Sequence, residues 1–217
     1  MKKKVIILVF MLVAVMLLAG QLPYQARQEK SIQQLSTTVE PIKSGHSLNS
    51  RTIVFECDFT DVTGWTATGG TNWGVAQSKN AGGTAPELVF NWSPSTVALQ
   101  RYISPEINTT GYTSLNLTFM SMINHYGGDY SLSIETTSDG GTTWNTVWTH
   151  EPASMPSTFI PVVIDNDDIG AENFQFAYVF DGDSYNINYW YIDDVILTDE
   201  EVPGRGSSES TTSSLYQ

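Results

Sequence analysis

Positive charge is almost missing from the body of this chain. Between Ile53 and Thr198 the only basic residues are Lys79 and Arg101, against 17 carboxylates, and the whole 217-residue sequence carries a formal charge of -13. A surface that grips nucleic acid is thereby excluded, because such surfaces neutralise phosphates with clustered Lys and Arg. Cysteine is nearly absent too. Cys57 stands alone, so no intramolecular disulfide forms and stability has to come from the core and from any bound metal. Cys57 shares the phase of Ile53, Phe55 and Phe59, which suits a small buried hydrophobe better than a nucleophile. Histidine is as sparse: His46, His125 and His150 are scattered, the last two near loop signals where a solvated role is expected. There is no His-Glu-x-x-His, no Gly-x-Ser-x-Gly and no phosphate loop, so the chain reads as non-catalytic. A glycoside hydrolase acting through two of the 17 acids is the weaker reading, since no pair is singled out.

Basic charge does appear at the start. Lys2, Lys3 and Lys4 precede an uncharged apolar run, Val5 to Ala19, that ends in Leu18-Ala19-Gly20. This is the pattern of a signal peptide over residues 1–20, a helix too short for the roughly 20 residues of a membrane span. The chain is expected to be secreted or displayed at the cell surface, with no membrane span after cleavage. Residues 21–52 read as a polar linker and 199–217 as a Ser/Thr-rich disordered tail. Residues 53–198 read as one domain.

Long helical stripes are lacking after the signal peptide, and the periodicity is 2. Ile53, Phe55, Cys57 and Phe59 alternate with Glu56 and Asp58; Leu115, Leu117 and Phe119 alternate with polar residues, as do Tyr130, Leu132 and Ile134. Phe174, Phe176, Tyr178 and Phe180 form a further such run. Gly-rich turns separate them, including Asn80-Ala-Gly-Gly83, Tyr126-Gly-Gly-Asp129 and Asp181-Gly-Asp183. Half-apolar strands bury their faces only against a second sheet, so an all-β, two-sheet antiparallel sandwich is expected.

Three segments taken in order carry a resemblance. They are Phe55-Glu-Cys-Asp-Phe-Thr-Asp-Val-Thr-Gly-Trp65; Tyr102-Ile-Ser-Pro-Glu-Ile107 leading through Leu115-Asn-Leu-Thr-Phe119 to Thr137-Ser-Asp-Gly-Gly-Thr-Thr-Trp144; and Tyr189-Trp-Tyr-Ile-Asp-Asp-Val-Ile-Leu197. Together they resemble the MAM-like jelly-roll domains of bacterial extracellular proteins, also called cleaved-adhesin or choice-of-anchor J domains. The resemblance implies a jelly roll that serves as an accessory module for cell adhesion or ligand binding, often with structural calcium. Thr137 to Trp144 also resembles a single Asp-box, which implies a structural hairpin with Trp144 packed beneath it.

Calcium is the leading chemical expectation. Hard cations take six to eight oxygens, and clustered carboxylates repel one another unless a cation sits among them. Glu56, Asp58 and Asp61 lie near the start of the domain and Asp193 and Asp194 near its end. By the resemblance, a calcium ion bridges these termini. On a regular strand Asp193 and Asp194 point to opposite faces, so one enters apolar surroundings and needs a partner; backbone N–H groups, Lys79 or Arg101 are the alternatives to a metal. Asp181 and Asp183 form a second candidate pair, whereas Asp165-Asn-Asp-Asp168 reads as a solvated turn because Ile169 interrupts the pattern.

Aromatic rings are the other resource. Trp73, Trp92, Trp144, Trp148, Tyr185, Tyr189 and Trp190 either stack on sugar rings or fill the core. Trp73 and Tyr185, in polar loops, are the ones expected to be exposed, with Asn72, Asp183 and Asn186 as polar companions. The functional expectation is a secreted, calcium-stabilised module that binds extracellular glycan or a surface protein. The alternative is a structural or accessory subunit of a secreted peptidase or surface assembly.

Overall fold

The computed structural model describes residues 51–199; the expected signal peptide, most of the linker and the tail lie outside the described residues. The strands of the apolar runs at 115–119, 130–134 and 174–180 carry their rings and aliphatic side chains into the core. The first run departs from strict alternation: a register shift between Ile53 and Phe55 leaves Ile53 exposed and Phe55 and Cys57 only half-buried, and Phe59, buried, lies beyond its strand at φ 60. Leu115, Leu117 and Phe119, then Leu132 and Ile134, then Phe174, Phe176, Tyr178 and Phe180, are all fully buried. These strands are β6 (Leu115–His125), β7 (Tyr130–Thr137) and β10 (Gln175–Asp183). The others are β1 (Ile53–Cys57), β2 (Thr66–Thr68), β3 (Trp73–Ala76), β4 (Glu87–Asn91), β5 (Val97–Ile103), β8 (Asn145–His150), β9 (Met155–Ile164) and β11 (Ile187–Thr198). A 3-10 turn, Ser184–Asn186, joins β10 to β11. No helix among the described residues is long and apolar enough to cross a membrane.

Two antiparallel sheets face each other. One runs β3-β4-β11-β6-β9, with β1 also paired to β11; the other runs β2-β5-β10-β7-β8. From β4 onward the chain crosses repeatedly between them, the jelly-roll habit that the resemblance implies. The space between is filled with rings. Phe90 of the first sheet stacks on Phe180 of the second with centroids 4.2 Å apart, and Trp65 lies flat against Tyr102 at 5.1 Å. Such pairs add about 0.5–1.5 kcal/mol each beyond the area they bury. The domain's ends are tied together: Thr52 N–H donates to the Asp199 carboxylate at 2.8 Å.

Outer-face features are individually braced. Arg101 donates to Glu135 at 2.7 Å and lies 4.8 Å above the Trp144 ring. The Asp139 carboxylate accepts from Thr142 and Thr143 N–H, and Trp144 Nε1 donates to Gly141 O at 3.1 Å, so this turn is the structural hairpin expected. Those donors hold the Asp139 carboxyl down at about 2. Removing the stacked ring in Phe180→Ala is expected to cost about 3–5 kcal/mol. The cost should appear as a lower urea midpoint with an unchanged slope.

Candidate functional site

Strand β11 positions both candidate sites. Trp190 and Ile192 are fully buried between the sheets, which turns Tyr189, Tyr191 and Asp193 to the outer face. Two β-bulges break the alternation against β6, one between Ile187 and Tyr189 and one between Asp193 and Ile196. Each adds a side chain to the outer face, because a bulge sets two residues against one.

The second bulge corrects an expectation drawn from strand geometry. Asp193 and Asp194 do not point to opposite faces. Asp194 adopts φ 51, a left-handed conformation that Asp tolerates better than most residues, and both carboxylates converge on one point. A methyl group placed on Gly83 would lie 2.6 Å from Asp193 Oδ2 and 2.7 and 2.9 Å from the two Asp194 oxygens. Gly83 belongs to the β3–β4 connection, which folds across the outer face of the sheet. Glu87 holds this connection by accepting Asn80 and Ala81 N–H, each at 2.7 Å, and Ser157 Oγ donates to Ala81 O.

The buried carboxylates are not equally served. Glu87 has its two N–H donors. Asp168 is buried, contrary to the solvated turn expected, because Thr136, Ser138 and Asn145 all donate to it. Asp193 is fully buried, accepts only the Asp194 N–H through Oδ1, and leaves Oδ2 without a partner. Burial pushes its carboxyl up to about 6, and Asp194, Glu87 and Asp58 add like-charge repulsion. Neither Lys79 nor Arg101 answers it; Arg101 is paired with Glu135 on the other sheet.

Alongside runs a groove of about 630 Å³ lined by Glu56 and Asp58 from β1 and its end, by Asp194, and by Met120 and Phe159. The topology thus brings four of the expected acids to one region. Asp61 points to solvent and accepts Thr63 N–H instead. Cys57 lies beneath, its Sγ accepting Phe59 N–H at 3.3 Å, and burial raises its thiol, which disfavours the thiolate. The residues fit a hard cation in part. An orphaned buried oxygen and a three-oxygen cradle are present, while no group of three or more His, Cys, Asp or Glu that could hold a metal occurs among the described residues. Further oxygens of a calcium shell would come from backbone, neutral side chains or water.

The second site lies at the tip where β4, the β6–β7 turn and the 3-10 turn meet. Trp92, Tyr126, Tyr185 and Asn188 line a cavity of about 210 Å³. Their rings stay in solvent: Trp92 is 37%, Tyr126 60% and Tyr185 50% exposed. Tyr185 meets Trp92 at 6.0 Å and Tyr126 at 5.3 Å, both edge to face. A hydrogen bond with the Tyr126 side chain raises the Tyr185 phenol above its ordinary value.

Two expected ligand residues act here as braces. Asp183 accepts Tyr185 N–H at 2.9 Å, and Asn186 O accepts Tyr126 and Gly127 N–H while its amide donates to Asp129 O. Asp181 is exposed on the other sheet, opposite Leu99 and Ser131. Trp73 and Asn72 are corrected outright. Trp73 is 8% exposed, packed on Phe90, Tyr102 and Trp190. Asn72 is 2% exposed and bonded to Gln100, Asn91 O and Pro94 O. The loop before them looked polar, but β3 pairs with β4 and carries Trp73 inward. His125 and His150 are half-buried, not solvated, and His125 Nδ1 lies 3.1 Å from Tyr130 OH.

No protein-family model matches the chain, and no curated protein matches it. Solved structures do match in fold. The K3 cleaved adhesin domain of Lys-gingipain from Porphyromonas gingivalis superposes with a TM-score of 0.51 at 16% identity, covering 68% of this chain and 98% of that one. The K1 cleaved adhesin domain of the same protein gives 0.52 at 10% identity, over 70% and 98%. The CBM22-1 xylan-binding domain of Paenibacillus barcinonensis Xyn10C gives 0.50 at 12% identity, over 70% and 97%. The fold is therefore cleaved-adhesin-like.

Replacing the unpaired charge tests the cradle. Asp193→Asn is expected to raise the melting temperature of EDTA-treated protein at neutral pH, because a neutral amide is cheaper to bury than an unpaired carboxylate. Wild-type protein in EDTA should lose stability as pH rises through about 6, since the raised value means the fold prefers the protonated acid. Thermal unfolding from about pH 4 to pH 7 checks both.

Proposed function

We propose that the chain is a secreted, non-catalytic carbohydrate-binding module stabilised by calcium. One observation carries the reading: three large rings, Trp92, Tyr126 and Tyr185, meet at one exposed tip with the Asn188 amide beside them. Burying one such side chain is worth about 1.5–3 kcal/mol, so three rings held in water by dedicated hydrogen bonds leave that energy for a ligand. Aromatic faces suit the C–H faces of sugars, and a nearby amide serves their hydroxyls. The fold-level neighbours, a xylan-binding domain and two cleaved adhesin domains, agree with a binding role and with an extracellular setting.

Asp193 and Asp194 would hold the calcium ion, with Asp58 and Glu56 facing it across the groove. When bound, the ion supplies the positive charge that Asp193 lacks. It would tie the last strand to the first and fix the β3–β4 connection above them.

Two measurements test the reading separately. On a glycan array the wild-type protein should bind and Tyr185→Ala should lose at least about ten-fold in affinity, the loss of a central aromatic contact; equal binding by the variant removes the tip from the site. In unfolding experiments, EDTA should lower the melting temperature and calcium restore it, by about 2.7 kcal/mol at one hundred times Kd. A flat calcium titration ends the metal assignment and leaves the glycan reading standing.

A further inference from the structure

The cavity at the tip is not isolated. Asn188, which lines it, is the extra residue of the first β11 bulge, and its Nδ2 donates to Asn124 Oδ1 at 3.0 Å. Asn124 is the β6 partner of Tyr189, whose partner on β4 is Asn91. Tyr189 in turn stacks on Tyr191, centroids 5.4 Å apart with ring planes at 28°. Both are partly exposed on the outer face, and beyond Tyr191 the row continues through Val89 to Gly74. A methyl group on Gly74 would meet nothing within 4 Å, so the row is open at Gly74. Rings and amides thus continue from the tip along the sheet, over a span longer than one sugar ring, since the backbone from Asn188 at the tip to Tyr191 covers about 10 Å.

None of these side chains is charged. The domain around them holds 17 acids and two bases from Ile53 to Thr198, and one of those bases, Arg101, is committed to Glu135 on the opposite sheet. The other, Lys79, is exposed in the β3–β4 connection and not among the tip and strand residues from Trp92 to Tyr191, so a polyanionic glycan would meet repulsion and find no cation among these contacts.

We propose that this site takes several consecutive sugars of an uncharged polysaccharide, running from Trp92, Tyr126 and Tyr185 onto Tyr189 and Tyr191. The proposal rests on the glycan reading of the tip and adds the length and charge class of the ligand. Tyr189 and Tyr191 are the outer contacts, and the bulge that adds Asn188 joins the two halves.

The test is affinity electrophoresis of the full chain through gels containing xylan, β-1,4-galactan, β-glucan, alginate or polygalacturonate. Titration with one- to six-unit oligosaccharides of the retaining polymer follows, for wild type, Tyr185→Ala, Tyr191→Ala and Tyr191→Phe, each checked for an unchanged melting temperature. Expected are retention by a neutral polymer, affinity rising at least about ten-fold from disaccharide to hexasaccharide, and about a five- to ten-fold loss of hexasaccharide affinity in Tyr191→Ala. Disaccharide binding should be unchanged in Tyr191→Ala, and Tyr191→Phe should keep most of the hexasaccharide affinity. If Tyr185→Ala abolishes binding while Tyr191→Ala binds hexasaccharide like wild type, the extended track is overturned and the tip reading survives. Retention by the acidic polymers alone overturns the charge class. No retention by any polymer overturns the tip reading and the track with it.

Discussion

Strand β11 is the constraint on which the rest depends. It is hydrogen-bonded to β6 along one edge and to β4 and β1 along the other, so its register is fixed from both sides. Its inward residues, Trp190, Ile192, Val195 and Leu197, form the floor of the core. A strand held that firmly has one way to place extra side chains on its outer face, which is to bulge. The two bulges of β11 do this at Asn188 and at Asp194. The core burial that locks Trp190 and Ile192 therefore also aims the amide of one site and the carboxylates of the other.

The acidity of the domain looks different once the hydrogen-bonded carboxylates are traced. Asp139, Asp58 and Asp61 are served by turn N–H groups, Glu87 by a loop backbone, and Asp168 by two hydroxyls and an amide. Neutral donors can stabilise a buried carboxylate almost as well as a cation when they are placed in advance. This explains how two bases suffice for 17 acids. It also isolates Asp193, among the described residues the one buried carboxylate with an oxygen that no hydrogen-bond donor serves. In a domain that satisfies its other buried acids so fully, the exception is the observation that supports the proposed cation.

The fold was legible because a period of 2 follows from strand geometry alone, and the runs at 115–119, 130–134 and 174–180 needed no tertiary information. The site was legible only in parts. Tyr185 was found, since a bulky ring in a Gly/Asp/Asn loop has little to pack against. Trp73 and Asn72 were misplaced by the same logic, because the pairing of β3 with β4 is a long-range fact. Tyr126 sat in a recognised turn, Tyr126-Gly-Gly-Asp129, yet nothing local announces that Asn186, 60 residues away, holds it beside Tyr185. The paired carboxylates were recognised but not their geometry. Alternation predicts opposite faces, and only a bulge with Asp194 at positive φ brings both to one point.

The two sites share a face as well as a strand. Tyr189, Tyr191 and Asp193 are successive outward positions, and the β3–β4 connection, which brings Gly83 over Asp193, leaves β3 two residues beyond Gly74, the last member of the Tyr191 row. Glu87 anchors that connection, and its charge is near enough to Tyr191 to raise the phenol, after burial and Tyr189. Anything lying along the tyrosines would meet the connection as a wall. The position of that wall depends on Gly83, which has no side chain to fill the space between the two carboxylates. In the proposed calcium-bound state the repulsion between Asp193 and its neighbouring carboxylates would fall, and the same ion would fix Gly83 over them.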